Sequence, residues 1–384
     1  MNIGVIGVGR LGICFALLLE KAGHTVLGSD IRKDYVDLLN KKQIITHEPQ
    51  VAEYLAASNN FCVVSDNKEV IKYADVIYVM VATPSLSNGS YDVSAVWNAV
   101  DDLVEVGKEQ SLQGKIFVVG CTTNPGDCQK IQDKVKYLGI DVLYNPEFIA
   151  QGSIIRDLQR ADMVLIGGEN QDAINKFSKL YADIQTTELK INSMSLTAAE
   201  ITKIAINCFC TTKISIANWI GQVLVKSGLE HDIKQVTKAM GDDTRIGNKY
   251  LNFGFGYGGP CLPRDNRALA HYSKSLGIEF NLGFTVDDIN KEHSNFLRDY
   301  FIQKNVDKLP FYMPYITYKP NSDIMEESQQ FKLCVHLLEM GYTVYVEEND
   351  MIPQKYKNSL LENKTFKFVK IEELNEHEVF KVNI

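Results

Sequence analysis

The chain of 384 residues carries 40 basic and 48 acidic side chains, a formal net charge of −8, with 45% hydrophobic and 23% charged residues. That length exceeds one ordinary core and points to two or three domains of a soluble globular protein. The acidic balance without a basic block speaks against a nucleic-acid partner, no apolar run is long enough to span a membrane, and no signal peptide fits ahead of the first strand-like run, so a cytoplasmic setting is expected.

Residues 2–6 form a short β-branched run that ends in Gly7-Val-Gly9-Arg-Leu-Gly12. A helix is predicted over residues 13–21 and a second strand over 24–29, closing on Asp30. Strand, glycine turn, helix, strand and acid together make the full dinucleotide-binding context rather than an isolated G-x-G-x-x-G. Gly7 serves the tight turn, Gly9 the approach of a pyrophosphate, and Gly12 the close packing of helix on strand. Asp30 can accept hydrogen bonds from ribose hydroxyls and repels a 2′-phosphate, so NAD is expected as cofactor. Arg32 and Lys33 stand close enough to weaken that preference.

Further buried strands are predicted at 61–64, 75–82, 115–121, 141–144 and 163–168, separated by helical patterns. This alternation implies a mostly parallel sheet covered on both faces, with ligands beyond the carboxyl ends of its strands. Three such ends carry polar groups: Thr83-Pro84, Thr122-Thr123 and Asn145-Pro-Glu147-Phe148. Each alone could be a strand-ending turn.

From residue 196 to about 228 the pattern becomes one long, largely apolar helix suited to burial between domains or subunits. Lys203 and Asn207 stand four apart and share a face, where they need polar partners. Helical patterns recur at 232–240, 267–276, 289–304 and 328–340, with strands expected at 311–318, 342–348 and 366–371.

Between the helices of the middle region lies Gly254-Phe-Gly-Tyr-Gly-Gly-Pro-Cys-Leu-Pro-Arg-Asp265, with four glycines in six residues leading to a thiol set between two prolines. It reads either as a backbone cradle ending in a reactive sulfur or as a tight turn around a buried cysteine. The other seven cysteines lie mostly in apolar surroundings, none forms a C-x-x-C pair, and histidines do not cluster with them. Neither a metal site nor a disulfide framework is expected.

These stretches, with Ala199-Glu-Ile-Thr-Lys-Ile-Ala-Ile-Asn207, Arg245-Ile-Gly247 and Tyr318-Lys-Pro-Asn-Ser-Asp323, resemble the UDP-glucose/GDP-mannose dehydrogenase family over nearly the whole chain. The resemblance implies an α/β fold in three parts. An N-terminal Rossmann-like NAD-binding domain (1–193) precedes a central long-helix dimerisation domain with a catalytic cysteine loop (194–305) and a small C-terminal α/β UDP-sugar-binding domain (306–384). It also implies two successive NAD-dependent oxidations of a nucleotide-sugar C6 alcohol to the carboxylate. Arg245-Ile-Gly247 and Asn145-Pro-Glu-Phe148 look most like the branch acting on UDP-glucose, so UDP-glucuronate is the expected product. Competing readings are a dehydrogenase of a UDP-N-acetyl sugar or GDP-mannose, a β-hydroxyacid dehydrogenase, and a nucleotide-sugar binder that has lost its chemistry.

Carried over by position, the roles fall as follows. Cys261 becomes the nucleophile that converts the aldehyde to a thiohemiacetal and then a thioester. Lys203 and Asn207 stabilise the oxyanion, while Glu147, Asp265 and a water on Thr122 handle protons. Gly7, Gly9, Gly12, Asp30, Thr83 and Thr122 hold NAD. Phe148, Gln151, Lys203, Asn207, Arg245, Tyr250, Asn252, Gly256, Gly258 and Lys319 hold the sugar nucleotide, with Arg245 reaching the site of the partner in a homodimer. The chain departs from the family pattern at Gln151 (usually glutamate), Arg264 (usually lysine), Glu326 (usually arginine) and in the order of Cys121-Thr-Thr-Asn-Pro-Gly126. The strand after residue 310 also lacks the usual glycine pair.

Overall fold

A computed structural model describes residues 1–149 and 152–383, so Gln151 lies outside the described residues. The chain divides into two compact units, Met1–Lys203 and Ile204–Ile384.

The first unit is built on eight strands: β1 (Asn2–Ile6), β2 (Thr25–Ser29), β3 (Phe61–Val64), β4 (Val76–Val79), β5 (Ile116–Val119), β6 (Asp141–Tyr144), β7 (Val164–Gly167) and β8 (Ile191–Met194). Their order is β3-β2-β1-β4-β5-β6-β7-β8. Neighbours run parallel except β6 and β7, which meet antiparallel at Tyr144 and Gly167. The chain winds outward from β1 to β3, then returns to lay β4 on the other side, which makes the carboxyl ends of β1 and β4 the switch point where ligands bind.

Strands β4 and β5 are buried at every position, which is why they read as continuous apolar runs. Val76 and Tyr78 belong to one core and Ile77 and Val79 to another, as alternation across a strand requires. The first core takes the buried side of the helix Arg10–Lys21 and the helix Gln171–Ala182; the second takes Ser94–Glu109, Asp127–Val135 and Leu196 and Ala199 of the long helix Leu196–Lys226.

In the second unit four parallel strands, β9 (Phe311–Met313), β10 (Val344–Glu347), β11 (Phe366–Val369) and β12 (Phe380–Lys381), stand in the order β11-β10-β9-β12. Their core includes Phe311, Leu333, Leu337, Val344 and Phe366, with Leu297 and Phe301 of the helix Leu282–Lys304. The strand expected over 311–318 stops at Met313 because Pro314 has no N–H to give a ladder. The helix expected from residue 267 begins at Leu262, since Pro263 occupies the first turn, where its missing N–H is no loss. Cys261 is therefore the N-cap position of a 14-residue helix, not part of a free-standing loop. No helix among the described residues is long and apolar enough to cross a membrane.

Candidate active site

In the first unit the glycine turn is closed by Ser29, whose carbonyl accepts from the Gly7 N–H at 2.8 Å and the Val8 N–H at 3.2 Å. Gly7 holds φ +92°, and a Cβ on Gly12 would stand 2.0 Å from the Gly7 carbonyl oxygen, so neither position admits a side chain. Beside Gly9, in contrast, a Cβ would meet nothing within 4 Å. Asp30, 9% exposed, follows β2 and accepts from the Arg32 N–H, Nε and Nη2 at 3.0, 2.9 and 2.8 Å. Burial alone would raise its carboxyl, but those hydrogen bonds outweigh it and hold the group below the usual range. Arg32 also lies over the Tyr35 ring, 4.1 Å from its centroid. Open space at Gly9 for a pyrophosphate and an ionised carboxylate at the end of β2 for a ribose fit a dinucleotide. Thr83 is buried after β4 and Thr122 half-buried after β5.

Asn145-Pro-Glu147-Phe148 leaves the carboxyl end of β6. Asn145 is 1% exposed and donates from Nδ2 to the Leu165 carbonyl at 2.9 Å. The Tyr181 hydroxyl lies 3.1 and 3.0 Å from the two carboxyl oxygens of Glu147, and the Tyr78 hydroxyl 3.4 Å from Oε1. Burial pushes the Glu147 carboxyl up to about 7, against the opposing pull of the Tyr181 hydrogen bonds and the Lys203 charge. Lys203 is 7% exposed; its Nζ donates to the Glu147 carbonyl at 2.9 Å and lies 4.6 Å from the Phe148 ring centroid. The polar partners that a lysine in this helix requires are thus the backbone and ring of the segment carrying Glu147. Further along, Glu48 accepts from the Gly152 and Ile154 N–H groups at 2.9 and 2.7 Å, fixing the chain beyond the segment.

One anchor here was not legible in the sequence. Glu200, fully buried, accepts from Thr123 Oγ1 at 2.7 Å, the Gly126 N–H at 2.6 Å and the Cys128 N–H at 2.9 Å. It ties the turn carrying Thr122 to the helix turn that ends at Lys203.

In the second unit Asn207 donates from Nδ2 to Asp265 Oδ2 at 2.6 Å, and the Cys208 thiol reaches the Asp265 carbonyl at 3.5 Å. Asp265 is 4% exposed and its N–H closes the first helical turn on the Cys261 carbonyl at 2.9 Å, while Cys261 is exposed. The cysteine is therefore not the buried turn residue that one of the two sequence readings allowed.

Side-chain amides and one imidazole hold the glycine loop ahead of Cys261. Asn218 Oδ1 accepts from the Gly254 N–H at 2.9 Å. Asn290 both accepts from the Tyr257 N–H at 2.9 Å and donates to its carbonyl at 3.0 Å, and Gln329 Nε2 donates to the same carbonyl at 3.1 Å. His293, 1% exposed, faces the Gly254 carbonyl through Nε2 at 2.6 Å, so Nε2 carries the proton and Nδ1 accepts from Gln222 at 2.7 Å. Burial lowers this imidazole to about 4 and keeps it neutral. A Cβ on Gly256 would stand 2.1 Å from Asn290 Oδ1, and one on Gly258 2.4 Å from the Glu327 carbonyl oxygen. These glycines are small because the protein packs against them.

The Glu327 side of the loop is clamped by charge: Arg267 donates to Glu327 at 2.9 Å and to Asp287 at 3.2 Å, and Lys332 to Glu327 at 2.7 Å. The Glu326 carbonyl accepts from the Gly259 N–H at 3.0 Å, while its side chain is exposed. Arg245 is exposed and paired with Asp243, Lys319 is half-buried beside the Tyr318 ring, and Asn252 lines a cavity of about 770 Å³ with Thr237, Asn248 and Tyr300. Tyr250 has φ +66°, a left-handed conformation that a tyrosine rarely adopts.

The sequence matches the NAD binding domain of the UDP-glucose/GDP-mannose dehydrogenase family over residues 1–185 and the central domain of the same family over 197–292. It is 29% identical over 380 residues to a UDP-glucose 6-dehydrogenase of Rickettsia bellii, covering 95% of this chain and 83% of that one. It is likewise 29% identical over 343 residues to a UDP-glucose 6-dehydrogenase of Bacillus subtilis, covering 88% and 77%. Among solved structures, the UDP-glucose dehydrogenase of Pyrobaculum islandicum superposes with a TM-score of 0.83 at 26% identity, covering 96% of this chain and 86% of that one. The UDP-D-ManNAc dehydrogenase of Pyrococcus horikoshii shares the fold at a TM-score of 0.78 and 21% identity, covering 99% and 94%.

Proposed function

The chain belongs to the UDP-glucose/GDP-mannose dehydrogenase family, an NAD-binding oxidoreductase family, and on that footing we propose that it oxidises UDP-glucose to UDP-glucuronate in two steps at Cys261. The observation that carries the reading is the position of that cysteine. It is exposed at the N-cap of a helix whose first turn holds Asp265, itself bound by Asn207. The N-terminal end of a helix favours negative charge, which suits a sulfur that must act as thiolate.

NAD supplies the hydride acceptor for each oxidation, one molecule per step. In the first, the C6 hydroxyl proton passes to a base, for which Glu147 is the candidate, and the alcohol becomes an aldehyde. Cys261 then adds to the carbonyl carbon, and the resulting alkoxide is met by Lys203 and Asn207. Loss of the second hydride leaves a thioester. A water held by Thr122 and relieved of its proton by Glu147 or Asp265 cleaves it, returning the thiol and the carboxylate. An aldehyde gives up hydride only after a nucleophile has added, which is what the thiol contributes.

The proposed substrate contacts are Phe148, Gln151, Arg245, Tyr250, Asn252, the backbone of Gly256 and Gly258, and Lys319. A homodimer through the long helix is part of the proposal: Phe209, Ile216, Trp219 and Val223 recur along it while 67, 40, 56 and 45% exposed. A helix face of that kind is stable when covered. Residues 194–305 would form the dimerisation domain and 306–384 the nucleotide-sugar domain.

The test is purified protein with NAD and a panel of UDP- and GDP-sugars, counting NADH per sugar. Two NADH from UDP-glucose is the expected result. One NADH per sugar would overturn the two-step reading, a preference for a UDP-N-acetyl sugar would reassign the substrate, and no turnover with any sugar would leave a binding protein. Light scattering on the same sample reads the dimer.

A further inference from the structure

Glu147 is held by two buried tyrosines whose hydroxyls are not equivalent. Tyr78 is fully buried on β4, and its oxygen lies 2.6 Å from the Asn145 carbonyl and 2.7 Å from Asn145 Oδ1. Both are acceptors only, since Asn145 Nδ2 is turned to Leu165. A phenol has one proton, and here it goes to Asn145. What Tyr78 presents to Glu147 Oε1 at 3.4 Å is therefore a lone pair, a contact that is favourable only when Glu147 carries a proton. Tyr181, 2% exposed, has its hydroxyl 3.1 and 3.0 Å from the two Glu147 oxygens, and its proton bridges the carboxylate.

We infer that Tyr181 and Tyr78 are positioning residues that let Glu147 both hold a proton and release it, Tyr181 serving the carboxylate and Tyr78 the acid. A group that alternates as base and acid within one turnover needs partners in both states, because a buried carboxyl stripped of a partner in either one would be trapped in the other. The inference rests on the role proposed for Glu147.

The surroundings keep the pair rigid. Phe15, on the helix that follows the cofactor turn, packs 4.5 Å from the Tyr78 ring and 5.9 Å from Tyr181, and Phe177 closes the far side at 6.0 and 6.1 Å. The other charged group facing Glu147 is Lys203, from the long helix, whose Nζ is bound to the Glu147 carbonyl. Cys121, beside Tyr78, is pushed up to about 12 by burial and stays neutral. No cation thus competes with Tyr78 or Tyr181 for their side of the carboxyl among the described residues.

The experiment follows the Glu147 carboxyl by infrared difference titration of the full-length protein, the band being assigned by its loss in Glu147→Gln. Tyr181→Phe removes the donor to the carboxylate, so the midpoint should rise by about one pH unit. Tyr78→Phe removes the acceptor for the acid, so the midpoint should fall. The acid limb of kcat should move with each midpoint while KM for the sugar nucleotide stays constant, a split that general loosening of the fold does not produce. Midpoints that stay put, or that move in the same direction, overturn the inference. If Tyr78→Phe does not fold, Tyr181→Phe decides alone: a rise supports the inference and anything else overturns it. Opposed shifts in a protein that does not release two NADH per UDP-glucose would leave the tyrosine pair standing and remove the catalytic reading. Two NADH with unmoved midpoints would do the reverse.

Discussion

The surroundings of Glu147 and those of the glycine loop solve opposite problems. Glu147 sits among hydroxyls and a lysine, groups whose proton positions change the energy of its carboxyl. The loop is held by Asn218, Asn290, Gln329 and a neutral His293, groups that keep the same donors and acceptors well above pH 4. The first region responds to protons near pH 7, and the second only near pH 4. In the proposed mechanism the tasks of moving protons and of holding the nucleophile would thus fall to separate residues.

The largest expected break in the second region is chemical. Cys261→Ser should lower net acid formation by about a thousandfold or more while UDP-glucose binding survives, read by NADH stoichiometry and calorimetry. Near-normal acid formation would remove the nucleophile from the proposed mechanism. Next comes Asn290→Ala, which strips partners from both the Tyr257 N–H and carbonyl; a loss of about 2–3 kcal/mol is expected in urea unfolding. An unchanged midpoint would mean that the amide pins do not hold the loop.

A smaller effect sharpens the contrast through pH. The folded Glu147 carboxyl is raised from 4.5 to about 7, so its contribution to stability is complete below 4.5 and lost as pH rises through about 7. The folded His293 is lowered from 6.5 to about 4, so its contribution is complete above 6.5 and lost as pH falls through about 4. Urea midpoints across this range should show Glu147→Gln gaining on the parent protein as pH rises, and His293→Gln gaining as pH falls. Both variants tracking the parent at every pH would refute these assignments. The smallest effect is at Tyr250, where Tyr250→Gly should relieve about 1 kcal/mol of left-handed backbone strain and raise KM for the sugar nucleotide.

Much of the first region was readable in advance because it is periodic or local. The turn of Gly7 to Gly12, the strand ends at Thr83, Thr122 and Asn145, and the long helix each announce themselves within a few residues. Tyr78 did not, because a tyrosine inside Val76-Ile77-Tyr78-Val79 reads as core, and its partners arrive 67 and 69 residues later. Tyr181 is 34 residues from Glu147 on an amphipathic helix. The buried hydroxyls were the one available hint, since a buried phenol needs a partner. In the second region the two prolines around Cys261 concealed the start of a helix, and β12 is too short, at two residues, to leave a pattern. The Arg267–Glu327 clamp joins residues 60 apart, beyond any local signal.

The division of the chain at Lys203 also has a consequence for how the protein is made. Tyr78, Tyr181 and Lys203, which hold Glu147 through its carboxyl and its carbonyl, lie within the first unit, Met1–Lys203. A ribosome releases that stretch before it has joined Cys261 to the chain, and domains fold as units from the N-terminus during synthesis. The surroundings of the carboxyl can close while the thiol does not yet exist. Synthesis order thus lets the surroundings of Glu147 form before Cys261 enters the chain.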